Sequence, residues 1–171
     1  CSGDCLCGLQ SEKDWIWSIL RSGLLWPSHR TSSWPMGQFY QSGGIYYRDR
    51  AQTEFYTGDY REYYENGTLK LEIQIKDGVP EGAYVVYFEN RKPKEIRSYK
   101  EGKLHGLWRS YDISGQLISE AEYKNDRKHG TWRIWDELGT QRYEMNYYDG
   151  RKTGIWRMWD EKGVLVDEKR Y

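Results

Sequence analysis

The sequence predicts an all-β fold, an elongated single-layer antiparallel meander of five 24-residue hairpin repeats with a short N-terminal helix as a cap. Three observations predict it: a strict 24-residue period, alternation of apolar and polar residues within each period, and turn residues at fixed positions. A fixed short period is typical of arrays whose units cover each other's apolar surface. Each unit starts at a glycine before an aromatic residue, and the units span 58–81, 82–105, 106–129, 130–153 and 154–171.

Each unit is predicted to hold two strands. The first covers positions 2 to 7 of the unit, as in 131–136, and the second covers positions 12 to 18, as in 69–75, where apolar and polar residues alternate. A four-residue loop at positions 8 to 11 joins them, and glycine at position 10 adopts positive φ at no steric cost. The predicted turn glycines are Gly67, Gly115, Gly139 and Gly163.

The repeats also predict the register of each hairpin. If paired positions sum to 19, position 4 faces position 15, and Arg faces Glu in four of the five units. In the second unit both residues change together, to Val85 and Ile96. Exposed cross-strand pairs of this kind contribute only ~0.2–1 kcal/mol each, so they define register more than stability. The Arg–Glu pairs are Arg61–Glu72, Arg109–Glu120, Arg133–Glu144 and Arg157–Glu168.

In this register, positions 3 and 5 point to one face and positions 2, 4 and 6 to the other. The aromatic residues at position 3 are expected to stack as a ladder of rings. The opposite face carries the position-6 aromatic residues beside the row of arginines, where a guanidinium can lie against a ring. The aromatic residues at position 3 are Tyr60, Tyr84, Trp108, Trp132 and Trp156, and those at position 6 are Tyr63, Tyr87, Tyr111, Trp135 and Trp159.

Composition narrows the class of function. Acidic and basic side chains balance at 26 each, so the sequence lacks the excess of basic residues that is typical of proteins that bind nucleic acid. Nine Trp and sixteen Tyr against three Phe favour a thin structure, because these rings carry a polar group that suits half-wet surfaces. No stretch approaches the roughly 18 consecutive apolar residues that a membrane-spanning helix needs.

The pattern G-x-W-R-x-W-D-x-x-G, followed by a strand that ends in Tyr and an Asn/Asp-Gly-Lys type of turn, resembles the MORN-repeat-variant family. The resemblance covers residues 58–171, and the second unit departs from it at Arg91 and Pro93. It implies a twisted antiparallel sheet of successive hairpins and a role in interaction or scaffolding rather than catalysis. Some bacterial members are labelled antitoxins by analogy.

The N-terminal third is predicted to differ from the repeats. Residues 1–10 are interpreted as a tether, 11–36 as a short helix and a loop, and 37–57 as a degenerate capping hairpin. Ser11 and Asp14 are typical of a helix start, and the apolar spacing that follows predicts one or two helical turns. This helix either closes the open end of the sheet or lies at a lipid surface.

The first residue is Cys1 rather than Met. Either the sequence is a fragment, or a leader is cleaved immediately before the cysteine, which resembles a mature bacterial lipoprotein. On the second interpretation Cys1 carries a covalent diacylglyceryl group and an N-acyl chain, and Ser2 resembles an outer-membrane signal. The expected location is the Gram-negative outer membrane, with the periplasmic and the surface-exposed side both left open. Cys5 and Cys7 are the other thiols, either reduced or paired.

The sequence predicts no catalytic residues, no metal site and no cofactor apart from the lipid. His105 and His129 share position 24, but equivalent positions lie two strands apart, about 9–10 Å, which is too far for shared zinc ligation. We therefore expect a non-enzymatic repeat scaffold that binds a protein partner in an outer-membrane assembly, without nucleic acid. The alternatives are an antitoxin or immunity protein and an envelope glycan-binding module. The candidate partner-binding residues are Trp108, Trp132, Trp156, Trp135, Trp159, Tyr111, Arg109, Arg133 and Arg157.

Overall fold

The structure, a computed structural model, describes residues 40–42 and 44–171. These residues belong to one compact unit that spans 38–171. The lipidation predicted at Cys1, the thiols Cys5 and Cys7, the tether 1–10 and the predicted helix within 11–36 lie outside the described residues. The predicted domain boundaries remain predictions.

The described residues form an all-β structure, and no helix occurs among them. A two-stranded hairpin precedes one large antiparallel sheet, in which ten strands follow each other in the order β13-β12-β11-β10-β9-β8-β6-β5-β4-β3 and the short β7 pairs with β6. The predicted open antiparallel meander is therefore confirmed. The strands are β1 (Tyr40–Ser42), β2 (Ile45–Tyr47), β3 (Gly58–Tyr63), β4 (Leu69–Lys76), β5 (Val79–Tyr87), β6 (Pro93–Lys100), β7 (Lys103–Leu104), β8 (Gly106–Tyr111), β9 (Leu117–Lys124), β10 (Arg127–Trp135), β11 (Gln141–Tyr148), β12 (Arg151–Trp159) and β13 (Leu165–Arg170).

The predicted register is confirmed in every hairpin of the large sheet. Arg133 of β10 lies opposite Glu144 of β11, and Val85 of β5 lies opposite Ile96 of β6. The covariation of this last pair thus reports a real contact across two strands. The remaining pairs are Arg61–Glu72, Arg109–Glu120 and Arg157–Glu168.

The first turn of each hairpin differs from the prediction. In the hairpin β10–β11 the amide of Asp136 donates to the carbonyl of Thr140 at 3.0 Å, and Trp135 pairs with Gln141 after a register shift. The loop therefore has three residues rather than four, and a bulge in the second strand absorbs the extra residue. The predicted four-residue loop at positions 8 to 11 is wrong, because the sum of the paired position numbers changes by one at the bulge.

Position 10 of the repeat unit, which lies in this loop, has positive φ in all five hairpins. The four glycines expected there have φ between 76° and 94°, and Arg91 takes the same place with φ 67°. The second hairpin therefore makes the same turn without glycine, at the strain that a non-glycine residue incurs in this region.

Aspartate at position 7 stabilises the same turn. The Oδ1 atom of Asp136 accepts hydrogen bonds from the backbone amides of Leu138 at 3.0 Å and Thr140 at 2.9 Å. Asp160 makes the equivalent contacts in the last hairpin. In the W-D pair of the repeat, the Trp ring therefore lies on the sheet, and the carboxylate of the following Asp accepts hydrogen bonds from backbone amides of the loop.

The first strand of several units starts earlier than predicted. β10 and β12 begin at Arg127 and Arg151, before the glycine that starts each unit, and run through it. Gly130 has φ +62°, and the pairing of β10 with β9 shifts between His129 and Arg133. The glycine is therefore a bend within one strand rather than a break between two elements.

The core changes character along the sheet. At the β3 end the buried residues form a mixed cluster of Tyr46, Tyr60, Leu71, Ile73 and Ile75. Tyr46 is contributed by β2, and its ring contacts Tyr60 at 5.1 Å between centroids. Towards β13 aromatic rings replace the aliphatic side chains, which agrees with the scarcity of Leu, Ile and Val in the sequence.

Candidate interaction surface

The charged residues at positions 4 and 15 form one continuous row across six strands. Glu144 of β11 contacts Arg133 within its own hairpin at 3.2 Å and Arg157 of the next hairpin at 3.1 Å. Arg133 also reaches Glu120 of the preceding hairpin at 3.6 Å. Acid and base therefore alternate from strand to strand. This Arg–Glu row consists of Arg109, Glu120, Arg133, Glu144, Arg157 and Glu168.

The row is compensated internally and only partly exposed. The Glu144 side chain is 19% exposed and that of Arg133 is 37% exposed. The hydrogen bonds of Glu168 and then Glu144 with Arg157 raise the pKa of the Arg157 guanidinium. A neutral, self-paired row presents hydrogen-bonding groups without a strong field of one sign, so its contacts depend on geometry more than on long-range attraction.

Position-6 aromatic residues flank this row on the same face. Trp135 of β10 and Trp159 of β12 are both half-buried. Tyr111 is half-buried in the same way, whereas Tyr63 in the first hairpin is 59% exposed. The Arg–Glu face, defined as the Arg–Glu row with Tyr111, Trp135 and Trp159, therefore presents half-buried aromatic side chains beside paired guanidinium groups.

The opposite face carries an aromatic ladder. Tyrosines at position 18 interleave with the position-3 tryptophans, so that Trp132 lies 5.1 Å from Tyr123 on one side and 5.1 Å from Tyr147 on the other. The sequence predicted the stack at position 3 and missed the interleaved tyrosines, although Tyr recurs at position 18 of four units. The ring ladder consists of Trp108, Tyr123, Trp132, Tyr147, Trp156 and Tyr171.

The ring ladder is largely closed to solvent. Trp108 is 6% and Trp132 is 4% exposed, while Trp156 is half-buried. The indole N–H groups of Trp132 and Trp156 donate to the carbonyls of Glu122 and Asn146 at 2.9 and 3.0 Å. The buried Nε1 of Trp108 has no hydrogen-bond partner among residues 40–42 and 44–171. The side chains of Trp108 and Trp132 thus serve packing in this structure.

Cations cover the ladder rather than the Arg–Glu face. The ammonium of Lys128 lies 4.5 Å from the ring centroid of Trp132 and 5.0 Å from that of Tyr147. Lys152 lies over Trp156 and Tyr171 in the same way, at 4.4 and 4.9 Å. The expectation that the arginine row lies against the position-6 rings is not met among the described residues. The lysines at position 23, which sequence reasoning passed over, make these contacts.

Burial of the ladder also shifts ionisation. Burial raises the pKa of Tyr147 to about 12, and the neighbouring Tyr171 adds to the shift. Burial lowers the pKa of Lys128, and the positive charge of Lys152 lowers it further. Both shifts follow from the cost of placing a charge in an apolar environment.

One cleft of about 340 Å³ lies among the second turns of neighbouring hairpins. Its cations are Lys103, Lys124 and Arg127, and Arg127 pairs with Asp149 at 2.7 Å. His129 also lines it and packs against Tyr148, 5.2 Å between ring centroids.

The described residues contain no group of three or more His, Cys, Asp or Glu side chains placed to hold a metal ion. The Nδ1 atom of His105 lies 3.2 Å from the amide oxygen of Asn125, as suits a turn contact. Within the same residues, no helix has both the length and the apolar character needed to span a bilayer.

The family model of the MORN repeat variant matches two segments, residues 56–77 and 104–125. The first contains the hairpin β3–β4 and the second the hairpin β8–β9, so the two matches begin two 24-residue periods apart. MORN repeats are generally involved in protein or membrane interactions. A comparison with curated proteins gave no match.

Proposed function

We propose that this protein is a non-enzymatic scaffold that binds a protein partner through its Arg–Glu face. The observation that supports this most strongly is the placement of half-buried Trp135 and Trp159 beside the continuous Arg–Glu row. Trp, Tyr and Arg dominate the energetics of protein interfaces when a rigid support holds them. Backbone pairing on both sides of each internal strand supplies that support.

The properties of the face favour a protein over other classes of partner. Its charges alternate and pair with each other, so it lacks the single-sign potential that binds nucleic acid backbones. Aromatic side chains beside pre-formed guanidinium–carboxylate pairs suit a partner surface that offers both apolar contact and hydrogen bonds. The arginines lose little side-chain freedom on binding because Glu120, Glu144 and Glu168 already hold them.

Affinity purification under mild detergent tests the binding surface. The double variant Trp135→Ala, Trp159→Ala is expected to lose the captured partner, because each truncation removes a large ring from the Arg–Glu face. Leu138→Ala is the matched control: Leu138 is apolar and 87% exposed, but it lies on a turn away from the row. Circular dichroism verifies that all variants fold.

Three results would contradict the proposal. The first is retention of the partner by the folded double variant, which would move the interface elsewhere. The second is recovery of a single small toxic enzyme in place of membrane proteins, which would identify an antitoxin or immunity protein. Loss of the partner with both the double variant and the Leu138→Ala control would also argue against a localised Arg–Glu interface.

A further inference from the structure

The outer edge of β13 is unpaired within the described part of the chain. β13 is the terminal strand of the large sheet, where only β12 pairs with it. Every residue of the strand is exposed, and the apolar side chains of Leu165 and Val166 are 47% and 52% exposed. An exposed edge offers a row of N–H and C=O groups that can pair with another strand.

The two ends of the sheet differ. At the β3 end, Tyr46 is 3% exposed and closes the stack by packing on Tyr60. At the β13 end, Tyr171 contacts the ring of Trp156 at 4.8 Å and remains 44% exposed. Each inner carboxylate of the Arg–Glu row contacts arginines on two strands, whereas among the described residues Glu168 contacts only Arg157. The ring ladder and the charge row thus both end at β13 with one side open.

The direction of the backbone groups along this edge follows from one hydrogen bond. The amide of Tyr171 donates to the carbonyl of Gly154 at 2.9 Å, so the backbone of Tyr171 faces inwards. In an antiparallel ladder the direction alternates from residue to residue. The backbone N–H and C=O groups of Arg170 and Glu168 therefore point away from β12.

We propose that β13 binds β13 of a second copy of this chain, antiparallel and about a two-fold axis at Lys169. In this register Glu168 of each copy lies opposite Arg170 of the other, so the outward backbone groups of both residues exchange hydrogen bonds. Two such pairs give four backbone hydrogen bonds and two Glu–Arg side-chain pairs on the same face as the Arg–Glu row.

The charge order of the strand selects a second copy as the occupant. Residues 167–170 read Asp-Glu-Lys-Arg, two acids followed by two bases. When the segment lies antiparallel to itself about Lys169, Glu168 of each copy faces Arg170 of the other, so an acid meets a base on both sides of the axis. A two-fold axis perpendicular to the sheet keeps the faces matched, so the Arg–Glu row continues from one copy into the next.

One contact opposes this arrangement and limits its strength. Lys169 lies opposite Lys169 of the second copy, although Asp167 of that copy is its diagonal neighbour and compensates part of the repulsion. The outward-facing segment is also short. The dimer is therefore weak and reversible, and it forms independently of the partner-binding role proposed for the Arg–Glu face.

Sedimentation equilibrium of the 171-residue chain tests the dimer. The expected result is a concentration-dependent shift towards twice the 20.5 kDa chain mass. Arg170→Glu places Glu opposite Glu168 of the second copy at both pairs, and we expect it to weaken dimerisation by about tenfold or more. Arg50→Glu is the matched control, an exposed charge reversal in the loop after β2 that leaves the dimer unchanged.

A charge exchange makes the test specific for this register. Glu168→Arg alone also weakens self-association, but a mixture of Glu168→Arg and Arg170→Glu chains restores opposite charges at both pairs and forms a heterodimer. Arg170→Pro removes an outward N–H without removing a bond to β12, so it weakens the dimer while the sheet persists. A monomer at millimolar chain concentration, or a dimer that survives both Arg170→Glu and Arg170→Pro, overturns the proposal.

Discussion

The carboxylate of Glu144 lies 3.1 Å from the guanidinium of Arg157 on the neighbouring hairpin, and the same carboxylate lies 3.2 Å from Arg133 on its own hairpin. One acid therefore joins two hairpins. The Arg–Glu pairs that the repeat pattern predicts within hairpins are also contacts between hairpins. This arrangement couples the stability of each unit to its neighbours, as expected for a repeat array.

Removing the shared acid tests that coupling. In Glu144→Gln the two flanking arginines lose the charge that separates them, and we expect the free energy of unfolding to fall by about 1–2 kcal/mol. Glu168→Gln is the matched control, because within the described part of the chain Glu168 pairs with Arg157 alone and is 48% exposed. Urea denaturation followed by Trp fluorescence measures both. Equal losses in the two variants would show that the second contact of Glu144 contributes nothing.

Alkaline pH is expected to unfold the protein through its buried tyrosines. Burial raises the pKa of both Tyr84 and Tyr147 to about 12, against an ordinary value of 10.0. Between pH 10 and 12 the unfolded chain loses these protons first, so the stability present below pH 10 is lost as the pH rises. Tyr147→Phe should flatten this fall, as measured by denaturation at several pH values. An unchanged slope in that variant would contradict the assigned burial.

Two glycines with the same φ separate backbone strain from contact. Gly67 and Gly78 both have φ +81°, but a Cβ atom at Gly67 meets nothing within 4 Å, whereas one at Gly78 lies 3.0 Å from the carbonyl oxygen of Tyr46. Gly67→Ala should cost about 1–2 kcal/mol from strain alone. Gly78→Ala should cost more and should speed hydrogen exchange of the Tyr46 amide, which donates to Gly78 at 2.7 Å. Equal losses of stability in the two variants would show that the backbone around Tyr46 does not lie against the turn at Gly78.

The turn carboxylate at position 7 gives a further test. Asp136→Ala leaves the amides of Leu138 and Thr140 without their acceptor, and we expect a loss of about 1–2 kcal/mol. Asp136→Asn keeps an acceptor oxygen and should recover most of that stability. Thermal unfolding of the two variants measures the difference. If asparagine restores nothing, the ion pair of Asp136 with Arg142 at 3.5 Å outweighs the turn hydrogen bonds.

The register was predictable because the residues that face each other across each hairpin change together from one repeat to another. Val85 and Ile96 replace Arg and Glu at once, and only one pairing brings those positions face to face. The bulge near position 13 was not predictable in this way, because a local register change leaves no charge pair out of place. The bend at Gly130 was missed for a related reason, since glycine marks strand ends as readily as bends within a strand.

The candidate surface was predictable only in part. Periodicity identified the Trp and Arg rows and their faces, yet it could not distinguish a buried ring such as Trp132 from a half-buried one such as Trp159. That difference depends on the tyrosines and lysines stacked on each ring, and Lys128 lies in the part of β10 before Gly130, which the sequence did not predict to be strand. Contacts between hairpins, such as Glu144 with Arg157, required the order of strands in the sheet as well as the register.

The central claim is that successive hairpins lie side by side in one sheet, in the register that places Arg133 opposite Glu144. Nuclear Overhauser effects between Hα atoms test it most directly, because these atoms approach closely only across non-hydrogen-bonded pairs of an antiparallel ladder. We expect a strong Hα–Hα contact between Arg133 and Glu144, with equivalent contacts for Arg109–Glu120 and Arg157–Glu168. Contacts from Arg133 to Tyr143 or Met145 instead would contradict the register and the two faces built on it.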